Sequence, residues 1–452
     1  MTRQVKNKTT RALWSSRFSF VMVTAGAAVG LGNIWKFPYM AGENGGGAFV
    51  LLYLFFVLLV GIPVMIAEIL LGRQGRQNPV NSFLSLAQSA GLSHRWQSVG
   101  WLGAATLLLV LSFYSVISGW SLAYLYYAIK GVLHFSQPAE VLALWDQFLS
   151  HPGELLLWHS VFMFLTLYVV GRGVNAGIER VSDMMLPALF IVLFGLVCYA
   201  AYVGNFREAL TFLLDFRLQD ITPHAIIAAM GQAFFTLATG AGALLIYGSY
   251  LSDDTNIVKS VFIIAGLDVL TAIFAGLAIF PIVFFHGLEP VAGPGLMFKV
   301  LPIAFSGMPA PTLVSICFFV LLLFAAWTSS ISMAEPLVAL IIERTSIKRG
   351  VASLLIGIFA WGIGIFTLLS FNVFQDVKIF HWSIFEIFTD LPTNIMLPIG
   401  ALLICIFAGW KLPKEQVQKA LAVSPVIYKI WRFNIRYITP LGIFLVFLTN
   451  LF

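Results

Sequence analysis

Charge is scarce in this chain: 10% of its 452 residues are Asp, Glu, Lys or Arg, while 60% are hydrophobic and the mean hydropathy is +0.92. Soluble domains carry about 25% charge, so a length that would suit three of them is read instead as one polytopic membrane protein. Cysteine is scarce too. Cys198, Cys317 and Cys405 lie in apolar stretches far apart in the chain, which argues against a disulfide framework or a zinc site. There is no Gly/Ser linker and no acidic tail, so residues 1–452 are expected to form a single membrane domain. HExxH and GxSxG are also missing, and no His stands in a span near the buried acid and hydroxyls, since His159 and His224 are placed near helix ends. An intramembrane enzyme is therefore disfavoured. The first 17 residues are polar and basic without a small-residue cleavage site, so the first span is expected to be retained.

What the chain has is long apolar runs. A span needs about 20 apolar residues to cross roughly 30 Å of hydrocarbon, and eleven are expected, at 15–41, 46–72, 97–129, 154–171, 181–203, 222–250, 257–285, 311–342, 350–370, 384–410 and 426–450. Positive loops stay cytoplasmic. With the N-terminus inside, only Lys36, Lys130, Arg207, Arg217, Lys299 and Lys378 of the 26 Lys and Arg fall outside, and an odd span count puts the C-terminus outside a plasma (inner) membrane. The net charge of +6 is thereby explained by topology, with no groove for nucleic acid.

Two of the runs are interrupted. GAAVGLGN (Gly26 to Asn33) breaks the first, and TLATGAG (Thr236 to Gly242) breaks the sixth. A five-span offset between matching breaks predicts two repeats of opposite orientation, about 15–203 and 222–410, with an extra helix at about 426–450. Unwound backbone in hydrocarbon must be buried and bonded: carbonyls suit a cation, and the amides at the start of a half-helix suit a carboxylate. The competing reading is that Gly26, Gly30 and Gly32 allow close helix packing, which leaves polar Asn33 unexplained.

Other polar residues at hydrocarbon depth point the same way. Ala325, Ala326 and Trp327 precede three consecutive hydroxyls, Thr328, Ser329 and Ser330. Hydroxyls are hard donors fit for sodium, although bonding back to the preceding turn is equally open. Asp268 lies mid-span, where an unpaired carboxylate costs at least roughly 2.5–3.5 kcal/mol. It should face a cation or polar cavity, or else be satisfied by hydroxyls. Lys36, Glu68, Glu335, Glu343, Glu386 and Asp390 lie closer to span ends, where solvation by snorkelling is the default. Gly177 and Pro187 frame a segment that either unwinds or merely packs and kinks. Pro294 to Pro309 reads as a re-entrant or surface hairpin capping the outer side, or as a plain loop.

GAAVGLGNIWKFPYMAGENGGGAF, GQAFFTLATGAGALLIYGSYL and FAAWTSSISMAEP are long and specific, and through them nearly the whole chain resembles the neurotransmitter:sodium symporter family, particularly its bacterial amino-acid carriers. The resemblance implies an all-α, leucine-transporter-like fold with discontinuous helices 1 and 6, and a substrate held between spans 1, 3, 6 and 8. It implies one sodium at Ala28, Asn33, Thr236, Asp268 and the substrate carboxylate. A second would sit at the carbonyls of Gly26, Val29 and Ala325 and the hydroxyls of Thr328 and Ser329. Tyr114 would meet the substrate carboxylate and Phe235 would form a lid. Lys36 with Asp390 would be the outer gate, and Arg11 with Glu343 the inner one, beside Trp14 and Tyr250.

Departures from the family pattern carry information. Glycine at Gly30, where amine carriers have an aspartate, favours a true amino acid. Asp268 replaces an asparagine near Tyr53, Gln232 and Thr236, which match chloride-site positions, so chloride is expected to be dispensable. Ala238 and Ala241, with Ala27, Ala28, Gly32, Val110, Ser329 and Met333, imply a roomy pocket for large apolar or aromatic side chains. The remaining alternative is a transport-inactive sensor or a channel of the same fold.

Overall fold

The computed structural model describes residues 12–135, 137–287 and 295–449. Its helices are α1 (Arg17–Ala28), α2 (Gly32–Glu43), α3 (Gly47–Gly75), α4 (Pro79–Ser89), α5 (His94–Ile129), α6 (Pro138–Ser150), α7 (Pro152–Gly171), α8 (Val174–Val203), α9 (Phe206–Leu214), α10 (Pro223–Thr236), α11 (Ala243–Ser249), α12 (Ile257–Phe285), α13 (Leu296–Ser306), α14 (Pro311–Thr345), α15 (Arg349–Leu369), α16 (Ile384–Lys411), α17 (Lys414–Leu421), α18 (Pro425–Phe433) and α19 (Thr439–Thr449). Eight of these are long and apolar enough to cross a bilayer, and the bent pair α1 and α2 makes a ninth if taken as one span. The expected spans 222–250 and 426–450 do not add to that count. The first is split into α10 and α11 around residues 237–242. The second is α18 continued through a π-turn into α19, and it carries Lys429, Arg432 and Arg436 in its first half.

Both expected interruptions are present. α1 ends at Ala28, Val29 is extended, and α2 leaves at 54° to α1, so the break is confined to Val29–Leu31 in the middle of the glycine motif, while Gly26 and Gly32 are helical. α10 ends because Ala238, Gly240 and Gly242 all take positive φ, at 51°, 102° and 84°. An L side chain is strained there and glycine is not. Four elements surround the breaks: α3, α5, α12 and α14, with α5 and α14 in extensive contact. α3 and α11 approach backbone to backbone. A Cβ at Gly72 would lie 1.8 Å from the carbonyl oxygen of Leu245, and one at Gly248 would lie 2.4 Å from that of Ile69.

Several expectations change. α8 stays wound through Pro187 after a π-turn at Val174–Glu179, and Gly177 serves packing, since a Cβ there would lie 2.1 Å from Val169 O. Within the segment 294–309, Leu296–Ser306 is helical and buries Leu296, Met297, Phe298, Leu301, Ala304 and Phe305. A short hairpin, β1 (Lys378–Ile379) with β2 (Trp382–Ser383), interrupts an otherwise helical chain. Its turn is formed by Phe380 and His381 at φ 48° and 66°. His159 sits well inside α7, fully buried, with Nε2 3.3 Å from Trp361 O.

Candidate functional site

The residues assigned above to the substrate all line one cavity of about 290 Å³ between the two breaks, α5, α14 and α16. Its lining is predominantly apolar, with few polar groups to fix orientation, as small-molecule sites usually are. The fit at position 30 is tight: a Cβ there would lie 2.7 Å from Ser329 Oγ and 3.1 Å from Tyr114 Oη, so any larger side chain must displace one of these hydroxyls. Leu31 N donates to Tyr114 Oη at 3.3 Å, so a hydroxyl and the start of α2 converge at one end of the cavity. Phe235 lies against Gly32, and Lys36 Nζ is 4.2 Å from the Phe235 ring centroid. The α5 side is a stripe, Leu107, Val110, Phe113, Tyr114 and Ile117. Leu107, Phe113 and Ile117 were not singled out from sequence, although a three- or four-residue step from Val110 and Tyr114 finds them. Ser332, Trp35, Tyr39, Phe385 and Thr389 also line it.

Beside the cavity, Asp268 is fully buried and hydrogen-bonded on all sides. Asn33 Nδ2 donates to Asp268 Oδ1 at 2.7 Å and to Thr236 Oγ1 at 2.9 Å. Thr236 Oγ1 donates to both carboxylate oxygens at 3.1 Å, and Tyr53 Oη donates at 3.2 Å. Asn33 Oδ1 accepts from Gly30 N at 3.0 Å, so this one side chain ties the first break to Asp268 and Thr236. Gln232 turns away, donating to Gly32 O at 3.0 Å.

A second oxygen cluster lies under the first break. Ser329 Oγ is 3.4 Å from Gly26 O, 3.1 Å from Val29 O and 3.0 Å from Ala325 O, and Thr328 Oγ1 is 3.2 Å from Ala325 O. All three hydroxyls of the run bond back along α14, and Ser329 alone also crosses to α1. The donors are carbonyls and hydroxyls throughout, a set that suits a hard alkali cation.

The regions on either side of the cavity differ. Away from the start of α2, Trp14 donates from N to Tyr250 O and from Nε1 to Tyr247 O, both at 3.0 Å, and packs edge-on against both rings. On the other side Lys36 and Asp390 form no ion pair; Lys36 lies on Phe235, and Asp390 accepts from Asn394 at 3.1 Å. Glu343 accepts from Asn78 N at 2.9 Å, while its expected partner Arg11 lies outside the described residues. Two acids assigned to solvated span ends are in fact buried. Glu68 accepts from Gly240 N and so holds the sixth-span break to α3. Glu335 is fully buried, paired with Arg349 and bonded by Tyr250 Oη at 2.6 Å.

A family model described as "Sodium:neurotransmitter symporter family" matches residues 11–142 and 137–452. The chain belongs to this family. The sodium:neurotransmitter symporter fold is seen in the crystal structure of MhsT in complex with L-phenylalanine, which superposes with a TM-score of 0.89 at 38% identity, covering 97% of this chain and 100% of that one. Among curated relatives, the uncharacterized sodium-dependent transporter YhdH of Bacillus subtilis is 40% identical over 96% of each chain. An uncharacterized sodium-dependent transporter of Haemophilus influenzae is 36% identical over 99% of each. The chain is thus a sodium-dependent transporter with the leucine-transporter-like fold, and not an enzyme.

Proposed function

We propose that this symporter couples sodium entry to uptake of a neutral L-amino acid with a large apolar or aromatic side chain, by alternating access and without chloride. The observation that carries the reading is the cavity itself: Tyr114 Oη and the start of α2 lie at one end, and a wall of Val110, Ala238, Ala241 and Met333 lies beyond. The first group suits a carboxylate and the second an apolar side chain. Binding of L-phenylalanine by the related MhsT supports the same substrate class.

One sodium is held by Asn33, Thr236, Asp268, the Ala28 carbonyl and the substrate carboxylate. The other is held by the carbonyls of Gly26, Val29 and Ala325 with Thr328 and Ser329. Because the substrate's carboxylate completes the first set, sodium and amino acid raise each other's affinity by equal factors. The fixed charge of Asp268 removes the need for an anion. The chain sits in a plasma membrane with its N-terminus cytoplasmic and its C-terminus outside, following its basic loops.

The test is uptake into proteoliposomes under an inward sodium gradient. Concentrative, sodium-dependent accumulation of phenylalanine, tryptophan or leucine is expected, unchanged when gluconate replaces chloride. Mere equilibration would indicate a channel, and binding without uptake would indicate a sensor. A preference for glycine or alanine over tryptophan and leucine would refute the assigned side-chain class.

A further inference from the structure

The corner where the end of α16 meets the turn Asn434–Ile438 between α18 and α19 is basic and nearly free of acids. From Phe407 to Thr449 the chain has Lys411, Lys414, Lys419, Lys429, Arg432 and Arg436 against a single acid, Glu415. Among the described residues none of the six cations is in an ion pair. Arg436 is nevertheless held in place: Nε donates to Gly409 O at 2.6 Å, the guanidinium lies 5.0 Å from the centroid of the Trp410 ring, and Trp410 Nε1 donates back to Arg436 O at 3.3 Å. Arg432 is likewise fixed on Tyr428, whose hydroxyl accepts from it. These bonds orient two positive charges and neutralise neither.

The same corner is amphipathic. Val426, Ile430 and Phe433, spaced by four and three residues on one stripe of α18, are 65%, 64% and 57% exposed, while Tyr428 and Trp431 on the opposite side are buried. Lys429 lies in the exposed stripe. A helix with apolar residues outward and cations among them matches the boundary between acyl chains and headgroups. Trp410 and Tyr437, both about half exposed and in edge contact at 5.4 Å, are the side chains favoured at that depth.

We infer that this corner binds an anionic phospholipid, with the phosphodiester among Lys411, Lys429 and Arg436 and the acyl chains running deeper along the exposed residues Phe433, Tyr437, Leu441 and Leu445. Charge complementarity selects the occupant: a zwitterionic headgroup carries a cation of its own and gains little from an acid-poor site, whereas each Lys or Arg favours an anionic one.

The experiment is native mass spectrometry of the full-length protein, released from detergent after exposure to phosphatidylglycerol or to phosphatidylcholine. Phosphatidylglycerol adducts are expected to survive at about tenfold lower lipid concentration than phosphatidylcholine adducts. The triple variant K411E/K414E/K429E is expected to abolish that preference, and K429Q alone to reduce it, while K130E/K378E, made elsewhere on the chain, leaves it intact. Equal retention of the two lipids, an unchanged preference in K411E/K414E/K429E and K429Q, or an equal loss in K130E/K378E would each overturn the assignment. So would displacement of phosphatidylglycerol by millimolar inorganic phosphate, which would mark a plain anion site.

Discussion

Replacing Asp268 by asparagine tests whether the buried carboxylate is the fixed charge of a sodium site. The side chain keeps its shape, its amide oxygen in the Oδ1 position still accepts from Asn33 and Thr236, now at 2.7 and 3.1 Å, and its new NH2 faces Tyr53 Oη, which can accept instead of donating, so the change removes the charge and reverses one hydrogen bond. A unit charge about 4 Å from a cation is worth about 4 kcal/mol at an effective dielectric of 20. The amide dipole recovers part of this, and the relieved cost of burying a charge offsets more, leaving about 2 kcal/mol, or roughly thirtyfold in sodium affinity. The readout is thermal unfolding of the purified protein in sodium and in potassium. At a sodium concentration about 100 times the dissociation constant the ion stabilises by about 2.7 kcal/mol, and a thirtyfold weaker site leaves about 0.9 kcal/mol. In potassium the variant should be at least as stable as the parent. The variant should also gain a dependence on chloride, tested against gluconate at constant sodium. If Asp268→Asn keeps the full sodium-induced shift, the carboxylate is no part of an ion site; if the parent already needs chloride, it does not replace that anion.

Other perturbations follow from the same geometry. Gly30→Ala places a methyl 2.7 Å from Ser329 Oγ, and overpacking of about 1–3 kcal/mol should weaken amino-acid binding about tenfold or more in a scintillation proximity assay; unaltered affinity would remove Gly30 from the site. Ser329→Ala removes the hydroxyl bridging Gly26 O, Val29 O and Ala325 O, and the half-saturating sodium concentration for uptake should rise about tenfold, corresponding to about 1.4 kcal/mol. Ala241→Phe should fill the cavity and depress tryptophan binding much more than alanine binding, and an equal loss of both would place Ala241 outside the side-chain wall. Glu68→Ala leaves Gly240 N–H buried without its partner and should lower stability by about 1–3 kcal/mol, read as a fall in the thermal midpoint with no change in the response to sodium.

The parts of the site legible in the sequence were those where hydrocarbon makes polarity costly. Asp268, the two glycine interruptions and the Thr328–Ser330 run stood out because none belongs in lipid without a partner, and the structure brings them to one region. Distance from a span end was a poor guide, because it says nothing about which face of the helix a residue occupies: Glu68 and Glu335 sit toward span ends yet point inward and are sealed. The stripe around Val110 and Tyr114 was readable from helical spacing. The turn at Phe380 and His381 carried little signal, since His is enriched at positive φ but Phe is not, and the separation of Lys36 from Asp390 is a matter of tertiary placement that spacing along the chain does not encode.

The backbone-to-backbone seam of α3 and α11 restricts how the cavity can be exposed. With Gly72 against Leu245 and Gly248 against Ile69, there is no side-chain cushion to shear, so neither helix can advance past the other without carbonyl meeting α-carbon. Any movement that opens the far end must carry the two as a single lever, and the bending has to be taken up where the chain is already bent, at Val29–Leu31 and Leu237–Gly242.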